Sequence, residues 1–303
     1  MPRFKSIIGL SALILLTAGL QACSAVKLAY NNAPDLSYWY LDGYVDFNGA
    51  QSLQVKEGLA ELHNWHRQTQ LPIYLDALRQ IKQKIPADLD AAQACDVFAD
   101  ARRKLIAVTV HAEPAVATLA TTLGTDQLTT MERKFEKGNS KYREDYVDAS
   151  PSASRKKRYK EAVSRAEMLY GRLDQKQLER ISFAIDQSSF NAKASYQERL
   201  RRQGDMLQTM RAVTTGASTR GLVGEKAQHA QQTQLAIAAM FSRSFNSPNL
   251  AYQTYLEQLT QSGCKSFAEL HNSTTAAQRA KAVEIISDYE QDLSLLASNR
   301  NKS

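Results

Sequence analysis

His63 and His66 stand three residues apart in Leu62-His63-Asn64-Trp65-His66-Arg67. On a helix their imidazoles share one face, the placement that two metal ligands use. Zinc proteases add the glutamate of His-Glu-x-x-His as a general base. Here Glu61 falls on another side of the helix. The plainer reading of the pair is a packing seam with both rings bonded to neighbouring helices, so no metal or other cofactor is expected. The remaining histidines, His111, His229 and His271, are scattered. The chain has no Gly-x-Ser-x-Gly elbow and no glycine-rich loop ahead of Lys and Ser/Thr. Its carboxylates are spread through helical segments, so none is singled out for glycoside chemistry. The expectation is a protein that is not an enzyme; the alternative is a cell-wall or lipid hydrolase whose catalytic residues cannot be named.

Cysteine chemistry is more informative. Arg3 and Lys5 open the chain, an uncharged and mostly apolar run follows from Ile7 to Leu20, and Leu20-Gln21-Ala22-Cys23 closes it. This is the order of an export signal, and the run is shorter than the roughly 20 residues a spanning helix needs. The ending resembles the lipobox of bacterial lipoproteins. The resemblance implies cleavage between Ala22 and Cys23 and about three acyl chains on the Cys23 thiol, enough for permanent anchoring. Ser24, where an aspartate commonly marks retention in the inner membrane, implies the periplasmic face of the outer membrane. An ordinary signal peptide cut near Ala22, or an uncleaved anchor, is the alternative. Residues 1–22 are thus read as the signal, 23–34 as lipidated N-terminus and tether, and 35–300 as a helical periplasmic domain. Two cysteines remain, Cys95 and Cys264. In an oxidising compartment one bridge between them is favoured over two buried thiols.

Loss of the signal lowers the formal net charge from +7 to +5. An exported chain rarely meets nucleic acid, so no nucleic-acid partner is expected. The implied neighbours are the membrane, reached through the N-terminal lipid, and an envelope protein, peptidoglycan or lipid. The oligomeric state is left open.

These residues must be positioned by helices. Seven prolines and thirteen glycines interrupt 303 residues, alternating strand patterns are absent, and apolar residues recur at helical spacing. The expected fold is an all-α multi-helix bundle with long amphipathic helices near 35–47, 49–84, 87–122, 126–149, 152–172, 224–246, 248–262 and 275–297. A helix of roughly 35 residues is predicted from Leu178 through Ile185, Ala192 and Leu200 to Met210. Pro72 and Pro114 should bend or break their helices. Thr214 to Gly224 reads as a mobile connection.

Helix starts carry a shared signature, a capping residue followed three positions later by Gln or Glu: Asn48…Gln51, Thr129…Glu132, Asp174…Gln177 and Thr275…Gln278. Leu173 and Leu178 are placed as a hydrophobic staple. Acids at Glu144–Asp148 and bases at Arg155–Lys160 should offset each other across a helical hairpin, in preference to forming an anion site. Of the rings Tyr38, Trp39, Tyr40, Tyr44 and Phe47, most are expected to pack on the domain; membrane contact is the alternative.

With Cys23, the segments Leu28-Ala29-Tyr30-Asn31-Asn32, Tyr38-Trp39-Tyr40-Leu41-Asp42-Gly43-Tyr44 and Trp65-His66-Arg67 followed by Leu71-Pro72-x-Tyr74 resemble an uncharacterised family of proteobacterial lipoproteins. So does Cys264 ahead of His271 and Thr275-x-x-Gln278-Arg279. The family implies an exported helical lipoprotein and supplies no activity. A second likeness is narrower. Leu128-Thr129-x-x-Glu132, Leu173-Asp174-x-x-Gln177 and Thr274-Thr275-x-x-Gln278 are similar to the Leu-Thr-x-x-Gln repeats of small periplasmic helical chaperones, which implies a chaperone-like role; capping alone is the competing account.

Overall fold

The computed structural model describes residues 21–218 and 223–298. The signal residues 1–20 lie outside the described residues, as do the side chains of Ala22 and Cys23. Helices follow one another as α1 (Gln21–Asn31), α2 (Ala33–Val45), α3 (Gly49–Trp65), a π-helical turn (His66–Gln70) and α4 (Leu71–Lys84). Next come α5 (Ala91–Ala120), α6 (Thr125–Tyr142), a second π turn (Arg143–Val147), α7 (Pro151–Tyr170) and α8 (Gln175–Gln187). The chain closes with α9 (Ala192–Ser218), α10 (Val223–Phe245), α11 (Leu250–Asn272) and α12 (Ala276–Ser298). No strand occurs among the described residues, so the fold is the expected all-α multi-helix bundle.

The helix starts explain how the bundle is held. Asn48 and Gln51 cap α3 reciprocally, as do Asp90 and Gln93 for α5 and Asp174 and Gln177 for α8. At α12, Thr275 N–H donates to Gln278 Oε1 (2.9 Å) and Gln278 N–H to Thr275 Oγ1 (3.2 Å). The expected start at Thr129 is not used. The chain caps α6 at Gly124, whose N–H donates to Gln127 Oε1 at 2.9 Å, and Thr129 lies inside the helix with its hydroxyl on Thr125 O.

Four of these glutamines do more than cap. Gln51 and Gln127 exchange amide hydrogen bonds at 3.1 and 2.7 Å. Gln177 and Gln278 exchange a second pair at 2.7 and 2.9 Å. Each amide also donates to the backbone carbonyl of the opposing loop: Gln51 to Thr122 O, Gln127 to Asp46 O, Gln177 to Ser273 O and Gln278 to Arg172 O, all within 2.8–3.1 Å. Every accepting carbonyl belongs to the residue five positions before its own loop's glutamine. Four helix–loop–helix corners therefore interlock as two matching knots. The turns that allow this include Asp46 (φ 60°, left-handed) after α2 and Gly171 (φ 71°) after α7; at such angles a residue other than glycine is usually strained. One apolar core surrounds each knot. Val45, Leu123, Leu128, Met210, Ile237 and Met240 belong to the first. Tyr170, Leu173, Ile181, Leu270, Ala282 and Ile286 belong to the second, and Leu178, the other expected staple residue, packs against that core.

Helix α5 reaches both ends, with Ala117 and Ala120 in the first core and Cys95 bonded to Cys264 of α11. It passes Pro114 without a break. Packing along α10 and α11 outweighs the backbone hydrogen bond that proline forfeits. At Pro72 the chain answers differently. The preceding turn widens, Leu71 N–H reaches back five residues to His66 O, and helix resumes with proline in its first turn.

The long helix predicted from Leu178 to Met210 is two. Ser188 is extended (ψ 134°), its hydroxyl accepts from Phe190 N–H, and Asn191 Oδ1 caps Ala194 N–H. These local side-chain bonds compete with the helix ladder, while Phe190 is held beneath Arg158. Helix α11 runs ten residues past its expected end, through Gly263 to Asn272. Helix α9 extends to Ser218 into the expected connection, of which residues 219–222 lie outside the described residues. In the acidic–basic hairpin, Lys157 pairs with Asp145 (2.5 Å) as expected. Arg155 instead reaches Asp186 (2.6 Å), and Arg158 the carbonyl of Ile185 (3.3 Å), at the end of α8.

Two measurements check this scheme. Gln127→Leu removes both exchanged amide bonds and the donor to Asp46 O and should cost about 2–3 kcal/mol in urea unfolding. The Gln51→Leu/Gln127→Leu pair should lose less than the sum of the single variants, and strict additivity would refute the coupling. The disulfide closes a loop with a sequence separation of 169 residues. Replacing both cysteines by alanine should lower stability by at most about 5 kcal/mol with far-ultraviolet dichroism unchanged, whereas an unaltered midpoint would show that the bridge adds no stability.

Candidate functional site

Several groups with chemical potential are spent on structure. His271 is fully buried (0 % exposed). Its Nε2–H donates to Ala87 O (2.9 Å), which leaves Nδ1 to accept from the Tyr170 hydroxyl (2.8 Å). Burial holds the imidazole below the usual histidine range and pushes the Tyr170 phenol up to about 12. Glu198 is buried, and burial alone would raise its carboxyl. Hydrogen bonds from Arg201, Arg202 and Ser247 outweigh that and hold it below the ordinary range.

His63 and His66 do share one side of the chain, at the junction of α3 and the first π turn, and what they meet there is the N-terminal helix. The Tyr30 hydroxyl lies 2.9 Å from His66 Nδ1, and His66 Nε2 lies 3.3 Å from the Tyr74 hydroxyl. A neutral imidazole accepts from one tyrosine and donates to the other. The His63 ring packs 4.7 Å from that of Tyr30. Arg67 donates to Asn31 Oδ1 (2.8 Å) and covers the Tyr30 ring. Burial pushes Tyr30 up to about 12, raises Tyr74, and lowers both histidines; Arg67 lowers His63 further, and His63 does the same to His66. Neither imidazole bonds a carboxylate among the described residues, and no group of three or more His, Cys, Asp or Glu there can hold a metal ion. The cluster joins α1, the π turn and α4, but only His66 hydrogen-bonds on both sides as expected; His63 packs on the Tyr30 ring with its buried Nε2 unpaired.

Beyond the seam the helices part around a concave site. Helices α3 and α5 run close together, with 3.7 Å between a β-carbon built on Gly58 and that of Ala115. Trp65 stacks on His111 at 3.8 Å between ring centres. Past the π turn, α4 packs on α12, where Arg79 and Lys82 both pair with Glu290. A groove of about 630 Å³ lies between α4 and α5, with α12 as its floor. Ile73, Ala77 and Ile81 face Val97 and Ala101, with Tyr289 and Leu293 alongside. Ile73, Val97 and Tyr289 are exposed. On the rim Asp100 is paired with Arg103 and Lys104, and Asp76 with Arg79. Hydrogen bonds from Lys104 and Arg103 hold the Asp100 carboxyl below its usual range even though partial burial opposes them. Tyr74, the last residue of the seam, also lines the groove.

Sequence reasoning misses this groove. Its signal is Val97 set between Asp96 and Asp100, an apolar residue on a helix whose buried face is formed by others. Of the site residues read from the sequence, Cys95 and Cys264 are bonded. Cys23 falls on α1, with its side chain outside the described residues.

The neutral histidines set a pH dependence. His63, His66 and His271 bind protons less readily when folded than an unfolded histidine, near 6.5. Stability is therefore complete above that value and is lost as pH falls below it, because the unfolded chain takes up protons first. His271→Gln should lower the thermal midpoint at about pH 7.5 and flatten its decline between about pH 7 and 5. Curves that stay parallel to wild type would place the acid sensitivity elsewhere.

No curated protein and no solved structure matches the chain. A family model described as a family of unknown function, DUF6279, matches residues 43–233, a span that takes in the first glutamine knot, both π turns and most of the groove wall. The chain belongs to that family.

Proposed function

We propose that this protein is a lipoprotein, cut before Cys23 and acylated there, that stands on the periplasmic face of the outer membrane. In this reading it binds a segment of another envelope protein in the α4–α5 groove and performs no chemistry on it. The groove carries the reading. It has an apolar strip of Ile73, Ala77, Ile81, Val97 and Ala101 edged by Lys84, Asp96 and Asp100 and is open to solvent, a shape that suits an extended or helical peptide better than a lipid tail needing enclosure. Its rim charges are largely engaged in ion pairs. His66, His271 and the buried Glu198 are tied into helix contacts instead of facing the groove.

A second reading is favoured by the knots. In the register the structure uses, Leu123-Gly124-x-x-Gln127 joins Leu173-Asp174-x-x-Gln177 and Thr274-Thr275-x-x-Gln278. These resemble the Leu-Thr-x-x-Gln repeats of periplasmic helical chaperones, each differing from that pattern at one position, and unlike the register beginning at Leu128 all three keep the glutamine. That likeness supports a groove occupied by many non-native chains rather than by one partner.

A photo-crosslinking residue at Val97 of the lipidated protein in cells separates the readings. Capture of one envelope protein from Val97, absent from exposed Met168 on α7 and abolished by Ala101→Arg, supports the adaptor. Many unrelated chains captured in the same pattern support the chaperone. Turnover of a wall or lipid fragment by purified protein would overturn both in favour of the hydrolase.

A further inference from the structure

We infer that the outward side of α1 and α2 is a membrane-contact surface, lying in the headgroup layer of the bilayer that holds the acyl chains. The inference rests on the lipoprotein reading of Cys23. Residues 23–34, expected to be a tether, contain no slack. Helix α1 begins at Gln21 and is pinned to the body three times. Lys27 pairs with Asp292 at 3.5 Å, Tyr30 meets His66, and Asn31 accepts from Arg67. Four residues separate Cys23 from Lys27, about 6 Å of helix. An acyl group on Cys23 therefore brings the body directly onto the lipid surface.

The helix does not turn away after these contacts. Asn32 N–H donates to Leu28 O (3.1 Å) and Leu36 N–H to Asn32 O (3.0 Å), so α1 passes into α2 with helical bonding on both sides of the junction. One side of this path is committed to the protein. Tyr38 donates to Ser52, and Asp42 accepts from Phe47 N–H. The other side presents Leu28 (66 % exposed), Leu36 (55 %), Trp39 (76 %) and Tyr40 (59 %) at spacings of three, four or their sums. The apolar surface continues into a shallow hollow of about 470 Å³ between α2 and α3, lined also by Leu41 and Leu59. Most of the aromatic block packs as expected, but Trp39 stays exposed and Tyr40, though in contact with Tyr44, keeps its outer side open; these are ring types that favour the membrane–water interface. A helix with one apolar side and an acylated start has the geometry of an interfacial anchor. Asp35 is exposed beside Leu36, which suits zwitterionic headgroups better than a strongly anionic layer.

The test uses the full-length acylated protein in phosphatidylethanolamine-rich vesicles carrying brominated acyl chains, with the acyl mass on Cys23 confirmed in the same sample. The chain has two tryptophans, so Trp65→Phe leaves Trp39 as sole reporter and Trp39→Phe leaves Trp65. Trp39 should lose most of its emission to bromine while Trp65 keeps its own. A nitroxide on Trp39→Cys, which leaves the Trp65–His111 stack intact, should report the same depth. Acylated protein whose Trp39 is neither quenched nor shielded overturns the membrane contact and leaves the anchor standing. Disulfide crosslinks joining two copies of the unlabelled Trp39→Cys variant through that position overturn it in favour of a self-association surface. A chain without acyl mass overturns the anchor and the contact together.

Discussion

A helix end leaves backbone amides and carbonyls unsatisfied, and burying such an end requires a partner for each. This protein meets that constraint four times with one device. A glutamine at the third helical position returns to cap its own helix, as Gln51 does for Asn48, and its amide nitrogen crosses to the carbonyl that ends the opposing hairpin. The partner loop does the same in reverse. Because donor and acceptor stand five residues apart in all four loops, two corners fit only in one mutual register. The apolar residue before three of the four caps, Phe47, Leu123 and Leu173, then falls in the core around its knot. Specific polar pairing thus chooses which hairpins meet, and the apolar cores supply most of the free energy.

Fixing the corners leaves the middles of the long helices free to depart from parallel packing. The α3–α4 path does so at the π turn of His66–Gln70. The widened turn accommodates Pro72 and directs α4 onto α12, while α5 continues straight between α10 and α11. π turns of this kind recur where a helix serves more than packing. The groove is the space created by that divergence. Its walls are residues of α4 and α5 that face one another across the gap instead of packing together.

This geometry explains what is legible in the sequence. Helicity, the starts of α3, α8 and α12, and the Cys95–Cys264 pairing rest on local spacing or compartment chemistry, and all are readable. The start of α6 is hidden because Gly124 has no side chain to announce a cap; only Gln127, two residues before Thr129, carries the signal. The break at Ser188–Asn191 is masked by apolar periodicity that continues in phase across it, while short-range bonds from Ser188 and Asn191 decide the matter. The histidine seam reads as packing from the sequence, but its partner does not, since Tyr30 lies 36 residues from His66. The groove is illegible for a related reason. An exposed Val97 looks alike on a solvated helix and on a groove wall, and only the path of α4 distinguishes them.

The seam also binds the two surfaces to each other. Tyr74 lines the groove and contacts His66 Nε2, His66 Nδ1 contacts Tyr30, and Tyr30 belongs to α1, the helix that carries Cys23. A segment entering the groove at Tyr74 must either preserve the hydroxyl's bond to His66 or take it over. If it takes it over, the imidazole loses one partner, and the buried ring becomes a weaker hold on α1. Energetic coupling requires such a chain to have two arrangements that both sites bias. The polar seam has that property because a neutral imidazole between two tyrosines can reverse which nitrogen donates. An apolar junction would have no second state. On the proposed reading, groove occupancy and the seating of α1 would be linked through this one side chain, and linkage of that kind acts equally in both directions.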